Sequence, residues 1–347
     1  MAQAVSEIVS GDVLPGAPHP RDQARLFGHG VVEADLIGDF RAGRLPHALL
    51  IGGPEGIGKA TLAYRLARMV LSGGPEAGSH SLDLPVTHPV FRQVASQSHP
   101  DLLVLHRVPE AGEEKIPTVI PAEMVRRVRS FFGATAAAGG WRVCIVDAVD
   151  ELNPFGANAL LKTLEEPPPR ALFLLISHAP GRVLPTIRSR TRLLRMRPLG
   201  SADVLAALDH LKEEMADLDA ATLPSAAEAS GGSVRRAIVL ARGEGMEVRS
   251  ATLKALEQLP RPRPEDLHAL GARLQGDRSD GLDLFIEAVS DYVAARATQG
   301  DEPRHRLVRL GEVWEKVRRS AREADVFNLD RKALVFRVFA DLAEAVR

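Results

Sequence analysis

Gly53, Gly58 and Lys59, in the run GGPEGIGKAT at residues 52–61, have the spacing of a phosphate-binding loop, G-x-x-x-x-G-K-[ST], in all but its last position. That position is Ala60. The chemistry of such a loop is divided among its parts. Glycines, here Gly53, Gly56 and Gly58, let backbone N–H groups curl around the α- and β-phosphates; the lysine reaches the β- and γ-phosphates; the hydroxyl holds Mg²⁺. This chain keeps the cradle and the lysine and lacks the metal-holding hydroxyl. Thr61 follows, but at about 3.6 residues per turn it points roughly 100° away from the required direction. It stays a candidate nucleotide contact, not a replacement for the missing group. The other reading of the whole segment is a glycine-rich turn that binds nothing.

Further polar residues stand where phosphate chemistry needs them. The apolar run Val143–Val146 ends in Asp147, the position of a carboxylate that helps to hold Mg²⁺, although a cap after a strand is the alternative. The next residue, where a water-activating glutamate belongs, is Ala148. Asp150 and Glu151 are offset from that position and are expected to cap the following helix. Two parts of a hydrolytic apparatus are thus both alanine, which points to a defective ATPase. Ser177 follows the apolar run Leu172–Ile176, Arg190 lies in the basic run 187–192, and Arg235 closes Gly232-Ser233-Val234-Arg235. On residue type alone, Arg190 is part of a solvated basic stretch and Arg235 sits at a serine-capped helix start.

These residues require a particular scaffold. His47–Ile51 is a short apolar run that reads as a buried strand, and after Lys59 the residues Leu62, Leu66 and Val70 recur at helical spacing. Strand, loop and helix in that order set the helix N-terminus on the phosphates. Runs at 102–105, 143–146, 172–176 and 193–194 read as further strands, with helices at 121–133 and 153–165 between them. Strands apolar on both faces and alternating with helices imply a parallel sheet covered on both sides. Residues 72–98, rich in Gly, Pro and His, read as a loop excursion, and after Pro198 the pattern is wholly helical. The expected division is a leader at 1–24, an α/β P-loop domain at 25–199, a small helical domain at 200–258 and, after the proline-rich Leu259–Pro264, a C-terminal helical domain at 259–347. Its helices are expected near 264–275, 281–297, 304–323 and 330–346.

Composition narrows the classes. A net charge of −1 over 347 residues offers no global basic field for nucleic acid, and 4% aromatic residues are few for a base-stacking platform. A single cysteine, Cys144, allows neither a disulfide nor a cysteine zinc site within the chain. Without an 18-residue apolar run or a signal-like start, the expectation is a soluble, cytoplasmic protein with no membrane partner.

Asn158-Ala-Leu-Leu-Lys-Thr-Leu-Glu-Glu-Pro-Pro168, about ten residues after Asp147, resembles the signature helix of the clamp-loader subunits of bacterial DNA polymerase III, an AAA+ family. Pro46-His47-Ala48, His99-Pro100-Asp101 and, more weakly, Asn328-Leu329-Asp330-Arg331-Lys332 are similar to that family as well, most nearly to its delta prime branch. From the residues alone, the 154–165 helix is an amphipathic packing helix stopped by prolines. The resemblance implies a RecA-like AAA+ domain, a helical lid and an all-α collar that oligomerises. It further implies that Arg190, in a motif similar to Ser-Arg-Cys with Thr191 for the cysteine, is an arginine finger acting in trans. Ser177 would be sensor 1 and Arg235 sensor 2, with ATP bound but not efficiently hydrolysed. The implied partners are the gamma/tau and delta subunits in a hetero-pentamer, the β sliding clamp, and primed DNA through the assembled complex. A catalytically active ATPase of the same architecture is the alternative. The family's four-cysteine zinc module has no counterpart in 72–98, where His80 and His88, with His99 just beyond, are poor zinc ligands, so no zinc is expected. Arg126, Arg127 and Arg129 form an exposed basic helix face, either solvated or touching phosphates.

Overall fold

A computed structural model describes residues 14–107, 119–134, 136, 140–275, 279–299, 303–327 and 330–346. By mutual contact the chain forms two compact units: Met1–Met215 with Gly231–Arg235, and Ala216–Ser230 with Arg236–Arg347.

The first unit is built on five parallel strands, β1 (Ala48–Gly52), β2 (Leu102–His106), β3 (Arg142–Asp147), β4 (Ala171–Ser177) and β5 (Arg192–Arg195), in the order β2-β3-β4-β1-β5. Its helices are α1 (Gly30–Arg41), α2 (Lys59–Leu71), α3 (Pro89–Ala95), α4 (Ala122–Gly133), α5 (Pro154–Glu165), α6 (Pro185–Arg188) and α7 (Ser201–Leu211). Alternate residues of each strand serve opposite faces. Leu49, Ile51, Val143, Ile145, Leu172 and Leu174 join one core with α1 and α2. Ala48, Leu50, Cys144, Val146, Phe173 and Leu175 join the other with α4 and α5. Every residue of β1 and β4 is buried, which is why these segments read as continuous apolar runs. The parallel α/β P-loop fold expected from the sequence is the one observed.

One segment differs from its sequence reading. Residues 72–98 contain α3, started by Pro89 with His88 Nδ1 accepting from Val90 N at 3.2 Å. Phe91 and Val94 of α3 and Leu82 before it are buried. Two buried arginines of α2 hold the surroundings: Arg65 pairs with Glu33 and Asp83, each at 2.7 Å, and Arg68 donates to Arg21 O and Gln23 O at 3.2 and 2.6 Å while lying over the Phe91 ring. The described part of the leader is therefore tied to α2: Leu14 is buried and the His19 ring meets Tyr64 edge-on.

The second unit is helical. It contains α8 (Leu223–Ala229), most of α9 (Val234–Ala241), α10 (Gly245–Glu257), α11 (Pro264–Arg273), α12 (Ser279–Gln299), α13 (Arg304–Phe327) and α14 (Arg331–Ala345). α12 packs between α10 and α13, and α14 between α11 and α13. The apolar stripes at Leu310 and Val317 and at Leu334, Val338 and Leu342 are buried within this unit, while Trp314, half-buried, donates to Ser290 Oγ at 3.2 Å. Of the Asn328–Lys332 motif, Asn328 and Leu329 lie outside the described residues. Asp330 caps α14 through Lys332 N. Among the described residues no helix is long and apolar enough to cross a membrane.

Candidate phosphate-binding site

β1 ends at Gly52 and α2 begins at Lys59, so the six residues between them turn the chain from strand into helix axis. Gly56 and Gly58 adopt φ of 74° and 95°, left-handed conformations that side-chain-bearing residues rarely take, and Gly58 is the N-cap of α2. The first turn of α2 thereby directs its N–H groups and the positive end of its dipole at the loop. The loop is held from several sides. Gly53 N donates to Ser177 O at 3.3 Å, and Val234 N donates to Gly56 O at 2.9 Å. His29, buried, donates from Nε2 to Ile57 O at 2.9 Å, and its burial lowers its pKa from the usual histidine value. A Cβ on Gly56 would stand 2.3 Å from Ser233 Oγ and 2.5 Å from Arg235 Cβ. The residues present thus suit a phosphate group: a tight glycine turn, a helix N-terminus and a lysine beside it.

Lys59 is buried at the first position of α2, and its Nζ donates to Pro54 O within the loop. Ala60 lies against the apolar cluster under α2, while Thr61 is half-buried in the same turn. Asp147, half-buried, ends β3 at the same edge of the sheet, with β4 between β3 and β1. Burial raises the pKa of the Tyr64 phenol of α2, and the Asp147 carboxylate pushes it in the same direction. Ala148 is fully buried at 0% exposure, so an acid there would lose its hydration.

Asp150 corrects an expectation. It does not cap the next helix. Its carboxylate accepts from Ser177 Oγ at 2.8 Å, from Ala179 N at 3.3 Å and from His178 N, tying the end of β3 to the end of β4. Glu151 pairs with Arg107 at 2.8 Å instead of capping. The cap of α5 is Asn153, whose Oδ1 accepts from Gly156 N at 2.8 Å, with Pro154 at the first helical position. Ser177 is buried and its hydroxyl is committed to Asp150. Arg235 reaches the loop, where its Nε pairs with Glu55 at 3.0 Å.

The structure accordingly brings Gly53, Gly56, Gly58, Lys59, Ser177 and Arg235 together, with Asp147 along the same edge. Arg190 is elsewhere. β5 runs parallel to β1 with Arg192 opposite Leu49 and Arg195 opposite Gly52. Arg190 precedes that ladder, in the turn after α6, and Gly53 follows it, so the two lie beyond opposite ends of the β1–β5 pair. Arg190 pairs with Glu165, the last residue of α5, at 2.7 Å, and donates to Thr186 O at 2.9 Å. Its side chain remains 34% exposed.

Arg126, Arg127 and Arg129 are exposed on α4, and Arg126 pairs with Glu123 at 3.3 Å. The groove of about 350 Å³ between β2 and α4, lined by Leu102, Val104, Met124 and Arg127, contains none of the loop residues. His88 and His99 serve as local caps, His99 Nδ1 accepting from Asp101 N at 3.1 Å. Among the described residues no group of three or more His, Cys, Asp or Glu could hold a metal. Sequence reasoning missed Glu55, Asp150 and Glu165 as partners of Arg235, Ser177 and Arg190. The signal for Glu55 was an acid inside an anion-binding loop.

Residues 29–200 match the family described as DNA polymerase III, delta subunit. The chain is similar to DNA polymerase III subunit delta' of Pseudomonas aeruginosa, 36% identical over 214 residues that make up 61% of each chain. It is similar to subunit delta' of Escherichia coli, 33% identical over 224 residues, 64% of this chain and 62% of the relative. It is also similar to DNA polymerase III subunit gamma/tau of Mycobacterium bovis, 32% identical over 218 residues, 62% of this chain and 36% of that one. The match thus spans about three-fifths of the length of the two delta' relatives.

Proposed function

We propose that this chain, whose residues 29–200 match the family described as DNA polymerase III, delta subunit, acts as a delta prime-type stator of a clamp loader. It joins gamma/tau and delta subunits in a hetero-pentamer in the cytoplasm, through the helices α11–α14. There it supports ATP-dependent placing of the β sliding clamp on primed DNA.

The observation that carries this reading is the separation of Arg190 from the chain's own phosphate loop. A guanidinium at the far end of the sheet, half-exposed and oriented by Glu165, is out of reach of its own Lys59 and open to a neighbour. In that position it would stabilise the charge that develops on the phosphoryl group transferred in the adjacent subunit's site. ATP at the chain's own loop would be held by the N–H groups around Gly53, Gly56 and Gly58, by Lys59 and by Arg235. Asp147 and Ser177 stand along the same edge, and Thr61 is a lesser contact. With Ala60 and Ala148 in place, turnover at this site is weak or absent.

Similarity to gamma/tau gives some support to the second reading, an active motor ATPase. One reconstitution separates the two. A complete loader with Arg190→Ala is expected to lose about 10³ in turnover at the adjacent site, while the chain alone turns over no ATP. Unchanged turnover by the assembled complex would remove the trans role, and turnover by the isolated chain would favour the motor.

A further inference from the structure

Glu55 is a residue for which phosphate binding has no evident use. It occupies a variable position of the loop, and its carboxylate lies 3.0 Å from Arg235 Nε. The main chain around that arginine is fixed. Val234 N bonds Gly56 O, and Gly56 has no space for a Cβ because Ser233 and Arg235 stand against it. Gly232, at φ 85°, is wedged against Leu199 N and O, where a Cβ would come within 2.6 and 2.5 Å. Rotation of the two side chains is enough to part Arg235 and Glu55 while this packing is kept.

A polyphosphate in the cradle brings several anionic oxygens to the place where this carboxylate sits. Both then compete for one guanidinium. The pair is exposed, 31% at Arg235 and 55% at Glu55, and a pair of that kind is weak enough for a phosphate to displace. Displacement still lowers the net gain on binding, and it leaves a negative charge beside the phosphates. That charge repels a triphosphate more than a diphosphate, since the former carries more negative charge.

We propose that Glu55 is an affinity- and specificity-determining residue of the loop, an internal anion that occupies Arg235 and must be displaced by bound polyphosphate. This rests on the reading of the loop as a nucleotide site. The test is a titration of the full chain with Mg-ATP and Mg-ADP, comparing wild type, Glu55→Gln, Arg235→Gln and the double variant, with Lys59→Ala as control. Glu55→Gln should bind ATP about 3–5-fold more tightly and ADP less than about 2-fold more tightly, with an unchanged melting temperature. In the Arg235→Gln background the ATP gain should shrink to the smaller part that repulsion by the Glu55 charge alone supplies. An unchanged ATP affinity, or a gain that persists in full without Arg235, overturns the proposal while the nucleotide site stands. If neither wild type nor Glu55→Gln binds either nucleotide, the nucleotide site itself falls and the proposal with it.

Discussion

Two regions of one α/β unit carry arginines of opposite character. In the middle of α2 Arg65, 2% exposed, is locked to Glu33, itself 6% exposed. Between α6 and β5 Arg190 pairs with Glu165 in a contact that leaves the two side chains 34% and 48% exposed. The first pair has been withdrawn from water and can serve only the architecture. The second keeps its charge available at the surface while restricting where it points. Lys59, buried at the start of α2, is turned inward as well, onto Pro54 O. Buried cations thus serve rigidity, while an exposed and paired one is available for presentation.

The largest test of this contrast is Arg190→Ala in the assembled loader, with its expected loss of about 10³ in turnover. The melting temperature of the isolated chain should hardly move, and a large drop would show that Arg190 is architectural after all. Arg65→Ala should do the reverse. Removing one partner leaves Glu33 buried without a counter-charge, at a cost of about 3–5 kcal/mol in stability. Chemical denaturation measures this, and a loss below about 1 kcal/mol would erase the distinction between the two arginines.

Acid should loosen the loop end in particular. Burial, with the charges of Arg21 and His106, lowers the pKa of His19 to about 3, and burial lowers that of His29. A histidine depressed in the folded state binds fewer protons than in the unfolded chain, so stability present above the unfolded value near 6.5 is lost as pH falls towards the folded one. At about 1.4 kcal/mol per pH unit, His19 alone should remove about 2 kcal/mol between pH 7 and pH 5. Urea unfolding at both pH values checks the sign; a flat profile would mean that His19 is hydrated in solution. The smallest effect is expected from Glu165→Gln: less than about 0.5 kcal/mol in stability, and a few-fold slower turnover in the complex as Arg190 loses its orientation. A loss as large as that of Arg190→Ala would move the chemistry to the carboxylate.

The residues legible in the sequence are those that act through short stretches of chain. Gly56 and Gly58 announce a turn because only glycine takes their φ values easily, and the strands announce themselves because both faces are buried. Arg190 and Asp147 are proposed from motifs only a few residues long. What escaped notice depends on distant pairing. Glu55 and Arg235 are 180 positions apart, and Asp150 and Ser177 are 27 apart, with no periodicity to connect them. α3 escaped because its seven residues follow a Pro-rich segment and owe their stability to burial of Phe91 and Val94 against the rest of the unit. Asp150 was misassigned for a related reason: a carboxylate just before a helix resembles a cap, and nothing local says that Asn153 takes that place.

Gly56 has a consequence for descent. It supplies the left-handed turn of a phosphate cradle, and it also makes room for Ser233 and Arg235 to approach. A lineage that ceased to bind nucleotide would relax selection on the first role and not on the second. The glycine would outlast the chemistry, and the signature of the loop would survive as a record of how the chain packs.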